Sequence, residues 1–159
     1  MHITLVCGAA GALAWAGLVA AQDSQDAARL IAMEQEWAAP APPPGAPTPT
    51  QKYMYDGPVM SLRPTGSVIV TSKTRLLENA APRPSGGPNI TRTSKRFDYH
   101  VELYGDTALI SYRQEVTTTN KANPGAKTSE AAGCLDTFVK RQGNWYAIAN
   151  ACAPAAPAK

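Results

Sequence analysis

The candidates for proton transfer in this sequence are a scatter of polar and aromatic side chains: Tyr53, Tyr55, Asp56, Asp98, Tyr99, His100, Tyr112 and Asp136, with Arg113 as a cation among them. Groups of these types suit an isomerase or cyclase. Such an enzyme needs a carboxylate or imidazole to take a proton from carbon, and a Tyr or protonated acid to steady the oxyanion. Asp56 or His100 as base, with Tyr99 or Tyr112 as acid, fills those parts. Metal chemistry has less support, because a histidine-based centre draws on two or three imidazoles and His100 stands alone beyond the N-terminal segment. There is no glycine-rich phosphate loop, serine elbow or HExxH stretch, and no cofactor is expected.

The strands that must carry these groups favour a quieter reading. Phe97, Tyr99, Val101 and Leu103 alternate with Asp98, His100, Glu102 and Tyr104, the period of a half-buried strand. Gly105 and Asp106 then supply a two-residue loop with glycine first, as a type II′ turn requires. Pairing Tyr104 with Thr107 sets Leu103 opposite Ala108, Val101 opposite Ile110 and Tyr99 opposite Tyr112, all on one apolar face. The other face pairs Asp98 with Arg113 and His100 with Ser111, where an ion pair and a hydrogen bond account for them. A second hairpin follows: residues 135–141, a loop at Gln142 and Gly143, then residues 145–151.

These hairpins, LYGDTALISYR and FVKRQGNWYAIA, resemble the two C-terminal hairpins of the nuclear transport factor 2-like superfamily. They come nearest to its branch called the domain of unknown function 4440, a neighbour of the SnoaL-like and ketosteroid-isomerase-like groups. MEQEW resembles the family's first helix, and YDGPVMSLRPTGSVIVTSKTRLLEN its strand, turn, strand and small helix. The likeness covers roughly residues 26–150. It implies an α+β fold in which a strongly bent antiparallel sheet wraps N-terminal helices into a cone with a pocket at its mouth. Relatives of this kind bind small molecules, and many pair through the outer sheet face, so a homodimer is expected. Trp37, Tyr53, Tyr55, Asp56, Tyr99 and Tyr112 are the pocket candidates, although Trp37 is most simply a core residue.

The remaining organisation follows from composition. Residues 3–21 carry no formal charge and end in Val19, Ala20 and Ala21, small residues of the kind a signal peptidase reads. A signal peptide over residues 1–21 implies a periplasmic or secreted protein with no stable membrane association after cleavage. An uncleaved anchor is the alternative. The domain then spans residues 22–152. Residues 25–39 form an amphipathic helix through Ala27, Leu30, Met33, Glu34 and Trp37, with Asp23, Ser24 and Asp26 in or before its first turn. Residues 38–51 are a proline-rich extended linker that replaces the family's second helix. A hairpin over residues 54–62 and 67–71 turns at Arg63 to Gly66, and Thr71 or Ser72 caps a helix over residues 73–79. Residues 80–88 and 120–133 read as loops, and residues 153–159 as a disordered tail.

Net charge +3 is too small and scattered for nucleic acid. The short run of Arg92, Lys95 and Arg96 reads as a solvated segment before a strand. Export would leave Cys134 and Cys152 on one face of the last hairpin, as a structural disulfide or as two half-buried thiols. With a type I turn and glycine bulge at residues 141–143 the cysteines lie diagonal; moving the loop by one residue sets them directly opposite. The function expected is therefore that of an exported cone domain binding a small apolar ligand or a partner protein. An isomerase-like enzyme and a purely structural dimer module are the alternatives.

Overall fold

The computed structural model describes residues 10–79 and 90–155. The loop expected over residues 80–88 lies outside them, as do residues 156–159 of the expected tail. A long helix α1 (Ala10–Ala38) is followed by the short helix α2 (Pro49–Tyr53). The hairpin β1 (Pro58–Leu62) and β2 (Val68–Ser72) comes next, then the helix α3 (Lys73–Asn79). Four long strands complete the fold: β3 (Ile90–Tyr104), β4 (Thr107–Asn120), β5 (Asn123–Arg141) and β6 (Asn144–Pro154).

The six strands form one sheet in the order β2-β1-β6-β5-β4-β3. Neighbours are antiparallel except β1 and β6, which run parallel from the Met60–Ala149 pair to the Leu62–Ala151 pair, so the sheet is mixed. α1 lies across its concave face. Leu30 and Met33 are buried there with Ala108, Ile110, Phe138, Trp145 and Ala147, and Trp37 packs at the edge of this cluster. The helix also grips the last hairpin by polar contacts. Asp26 accepts from Lys140 Nζ (2.5 Å) and Trp145 Nε1 (3.0 Å), and Arg29 donates to Asn144 Oδ1 (2.9 Å). Among the described residues no helix is long and apolar enough to cross a membrane.

Several expectations need correction. The helix starts before residue 25, so Asp23, Ser24 and Asp26 stand inside it instead of opening it. The proline-rich segment does not stay extended to residue 51. Thr48 caps α2 through a capping box with Gln51, and Pro49 is the first helical residue, where its missing N–H costs nothing. Residues 120–133 are not a loop: β4 and β5 extend until they meet at a tight turn, with Thr119 paired to Lys127 and Asn120 to Asn123. Runs of Thr and Ser, which pack acceptably on a pleated surface, sustain this extension. β6 likewise continues through Pro154 into the expected tail.

Other local readings match the structure. Ser72 Oγ accepts from Arg75 N at the start of α3. Gly66, at φ +81°, closes the β1–β2 turn with its N–H on Arg63 O. Tyr104–Thr107, Leu103–Ala108 and Val101–Ile110 pair as alternation requires, and Gly105 has φ +63°.

Two departures from alternation shape the interior. In β3 the register shifts between Phe97 and His100, where Asp98 adopts φ +55°. Two residues there, Asp98 and Tyr99, oppose Tyr112 alone. The strand before this bulge is turned over, so Phe97 pairs with Arg113 on the outer face, and Arg96 pairs with Gln114 on the inner one. In β6 the loop is a two-residue turn at Gln142 (φ +51°) and Gly143 (φ +76°), not the type I turn with a glycine bulge. The extra residue sits further on, at Ile148: Phe138 pairs with Ala147 and Thr137 with Ala149. Beyond Ile148, Asn150 and Cys152 face inward with Trp145 and Ala147, opposite Asp136 and Cys134.

Candidate functional site

The concave face closes over a cavity of about 240 Å³. Trp37 from α1, Met54, Val59 from β1, Leu76 from α3 and Ala147 give it an apolar wall, and Arg96, Tyr112, Gln114, Asp136 and Asn150 a polar one. Every strand except the edge strand β2 contributes a residue to this lining.

The polar wall is a hydrogen-bonded unit centred on Asp136. Asn150 Nδ2 donates to Asp136 Oδ1, and Tyr112 OH donates to Oδ2 (3.2 Å). Behind them, Arg96 forms an ion pair with Glu34 of α1, which is wholly buried. The Arg96 guanidinium also lies over the Tyr112 ring, 4.8 Å from its centre. Two carboxyls and one guanidinium thus share an interior site. Full ionisation would leave one negative charge uncompensated away from water, so the pair retains a proton instead. Burial, then the neighbouring charge of Asp136, pushes Glu34 up to about 8, against the pull of Arg96. Burial also raises Asp136, although the Asn150 amide, the Glu34 proton, Arg96 and Tyr112 all pull it back. Tyr112, buried beside these acids, is raised as well.

A pH dependence of stability follows. Between pH 4.5 and 8 the native protein holds a proton on Glu34 that the unfolded chain has released, so stability falls as pH rises through this window, by at most about 1.4 kcal/mol per pH unit for one proton. Asp26 and Glu36 act oppositely. Burial raises Asp26, but its bonds to Lys140 and Trp145 outweigh that; Glu36 is lowered by Lys52 and Tyr53. Both contributions disappear only as pH falls through the acid range. Thermal melts should therefore peak near pH 5 and decline toward pH 8, and Glu34→Gln should flatten that decline. An unchanged slope in the variant would remove Glu34 as its source.

The expected site residues scatter more widely than this unit. Trp37 and Tyr112 line the cavity. Tyr53 is not in the lining: its ring meets Trp37 edge-on at 5.7 Å, and its hydroxyl donates to Glu36. Tyr55 is half-buried and anchors its own backbone N–H on Ala147 O (3.0 Å). Asp56 is exposed and pairs with Lys73 (3.0 Å). Tyr99 packs on Tyr112, with ring centres 5.9 Å apart, and lines a neighbouring hollow with Arg96 and Gln35. His100 points to solvent beside Glu102 (2.7 Å), and Arg113 meets Asp98 at 3.7 Å, both on the outer face. Cys134 and Cys152 are joined by a disulfide whose Cys152 also lines the cavity.

Glu34, Arg96 and Asn150 are the residues that sequence reasoning passed over. Glu34 had a signal, an acid on the same helical stripe as Leu30, Met33 and Trp37. Arg96 is not part of a solvated segment, because the bulge at Asp98 turns it inward.

No family model matches the sequence, and no curated protein does. Solved structures do match the shape. A protein from Kribbella flavida is 14% identical with a TM-score of 0.64, the match covering 86% of this chain and 93% of that one. A nuclear transport factor 2-like superfamily protein from Salmonella enterica serovar Typhimurium is 16% identical with a TM-score of 0.54, over 70% of this chain and 78% of that one. The fold is nuclear transport factor 2-like. Aln2 from a Streptomyces species has it too, at 19% identity and a TM-score of 0.50, over 64% of this chain and 71% of its own. Identities this low establish the nuclear transport factor 2-like fold and leave the chemistry to the residues.

Proposed function

We propose that this nuclear transport factor 2-like chain belongs to the domain of unknown function 4440 branch, which its motifs resemble, and binds a small, largely apolar molecule with one polar end. The observation that carries this is the cavity itself: an apolar wall of Trp37, Met54, Val59 and Leu76 facing the polar wall of Arg96, Tyr112, Asp136 and Asn150. Ligand sites commonly combine a mostly apolar lining with a few convergent polar groups. At about 240 Å³ the space suits a one- or two-ring compound better than a steroid. A thermal-shift screen should then favour small ring compounds bearing a hydroxyl or carbonyl over steroids and fatty acids. A ligand at a hundred times its dissociation constant adds about 2.7 kcal/mol. Silence across the small-ring compounds would end this reading.

The enzyme alternative gains one specific support: two carboxyls, Asp136 and Glu34, lie at the concave face, whereas His100 does not. Asp136 beside the Tyr112 hydroxyl could relay a proton at a carbon next to a carbonyl. Its signature is deuterium exchange into a bound ketone that Asp136→Asn abolishes; equal exchange in the variant would exclude it.

The same reading has the chain exported with residues 1–21 removed, to a periplasm or the exterior, and paired through the outer sheet face. Leu62 and Leu135 are exposed there beside Gly133 and Ala151, around a shallow hollow lined mostly by outward residues. Native mass spectrometry of the protein from its own envelope should find pairs of chains that begin near Gln22. Single chains, or an intact Met1 in the membrane fraction, would count against these two assignments respectively.

A further inference from the structure

Cys134–Cys152 and Asp136–Asn150 are successive inward-facing pairs across β5 and β6. One is covalent, the other is the hydrogen bond that holds an amide on the cavity's central carboxyl. Both depend on the extra residue at Ile148. Counted from the turn, where Arg141 pairs with Asn144, unbroken alternation would set Ala149 opposite Asp136 and Ala151 opposite Cys134. Asn150 and Cys152 would then project from the outer face, since a one-residue slip turns every following side chain over.

Nothing apolar specifies the bulged register. The residues that exchange faces are Ala149, Ala151 and Ala153 against Asn150, Cys152 and Pro154, so the slipped strand would offer the cone alanines in their place, and Pro154 is exposed in the observed register. The parallel contact with β1 does not decide it either, because Ser61–Asn150 and its neighbours are backbone pairings that a slipped strand can re-form one residue along. The disulfide does decide it. With Asn150 and Cys152 outside, the Cys152 sulfur points away from Cys134 and the bond cannot exist.

We propose that the Cys134–Cys152 disulfide is a register lock, holding β6 in the bulged alignment that turns Asn150 into the cavity and onto Asp136. Cys134 and Cys152 are thus positioning residues for the polar wall. The inference concerns the cavity of the proposed function, but its readout needs no ligand, so either can fail while the other stands.

The readout is the titration of Asp136. Its carboxyl is faced by Glu34 from α1, Arg96 from β3, Tyr112 from β4 and the Asn150 amide from β6. Loss of the amide alone removes a donor to the ionised form and moves the midpoint up. Carboxyl-carbon NMR across a pH series should therefore show the Asp136 midpoint higher in the Cys134→Ala, Cys152→Ala double variant than in the wild type. Asn150→Ala with the bridge intact should move it by the same amount, and adding Asn150→Ala to the cysteine-free protein should move it no further. A wild-type midpoint in the folded cysteine-free protein would overturn the lock.

Deleting Ile148 separates the lock from simple stabilisation. In that chain alternation alone brings Asn150 inward, so the cysteines become dispensable for its placement. Removing them in the deletion background should leave both the fold and the Asp136 midpoint in place. If the cysteine-free full-length chain does not fold, this pair decides the matter. Unfolding or an upward shift on losing the cysteines in the deletion background would refute the proposal.

Discussion

Replacing Arg96 by Met is expected to destabilise the protein by about 3 to 5 kcal/mol at pH 7, the usual cost of removing one partner of a buried pair. The guanidinium is the cation on which Glu34 closes, and with Met in its place two acids face each other in the interior with nothing opposite. The penalty should be pH-dependent in a defined direction. At pH 5 both carboxyls of the variant can hold protons and become neutral, so the loss should shrink; at pH 8 it should grow. The double variant Arg96→Met, Glu34→Gln should recover part of the difference at neutral pH, because position 34 then needs no proton that the unfolded chain has released. Urea titrations of the wild type, Arg96→Met, Glu34→Gln and the double variant at two pH values test each limb. An Arg96→Met protein as stable as wild type at pH 7 would mean that the ion pair contributes nothing net.

The legible and illegible parts of this chain divide at its two bulges. Alternation correctly placed Tyr99, Val101, Leu103, Ala108, Ile110 and Tyr112 on one face, and turn chemistry correctly closed the hairpin at Gly105. Helical spacing found Leu30 and Met33. The same parity, extended through Asp98 as though the strand were regular, put Phe97 inside and left Arg96 among solvated charges. Across the last hairpin parity rightly kept Cys134 and Cys152 on one face, but the extra residue behind their direct pairing is Ile148 and not a residue of the turn. The misplacement of Arg96 and the unforeseen place of this second bulge have one reason. A bulge is set by its pairing partner and by the bend of the sheet, which no local pattern of apolar residues records. Asp136 needed no such shift. It appeared among the candidates but without a partner to rank it, since Glu34, Arg96 and Asn150 reach it from three other elements. The long β4–β5 extension was missed for a different reason: its Thr- and Ser-rich sequence resembles a loop as closely as a strand.

Trp145→Ala should cost about 3 to 5 kcal/mol, comparable to the loss of Arg96 but independent of pH over the neutral range. Trp145 is 2% exposed and lies in the cluster with Leu30, Met33 and Phe138. It is also the point where helix and sheet are joined by chemistry of both kinds. Its indole N–H donates to Asp26 of α1 at 3.0 Å, while Lys140, 5.4 Å from the ring centre, reaches the same carboxylate. Trp145→Phe separates the two roles. It keeps much of the buried area but removes the N–H and part of the ring volume, so its cost should be about 1 to 3 kcal/mol, with Asp26 still held by Lys140. Because the indole helps hold Asp26 below its usual range, the hydrogen-bond part of that cost should shrink as pH falls through the acid range and Asp26 takes up a proton. Denaturant midpoints at constant m-value measure these differences. If Trp145→Ala were no worse than Trp145→Phe, the contact between α1 and the last hairpin would rest on the hydrogen bond and not on packing. The anchoring of the helix through Leu30 and Met33 would then have to carry the fold alone.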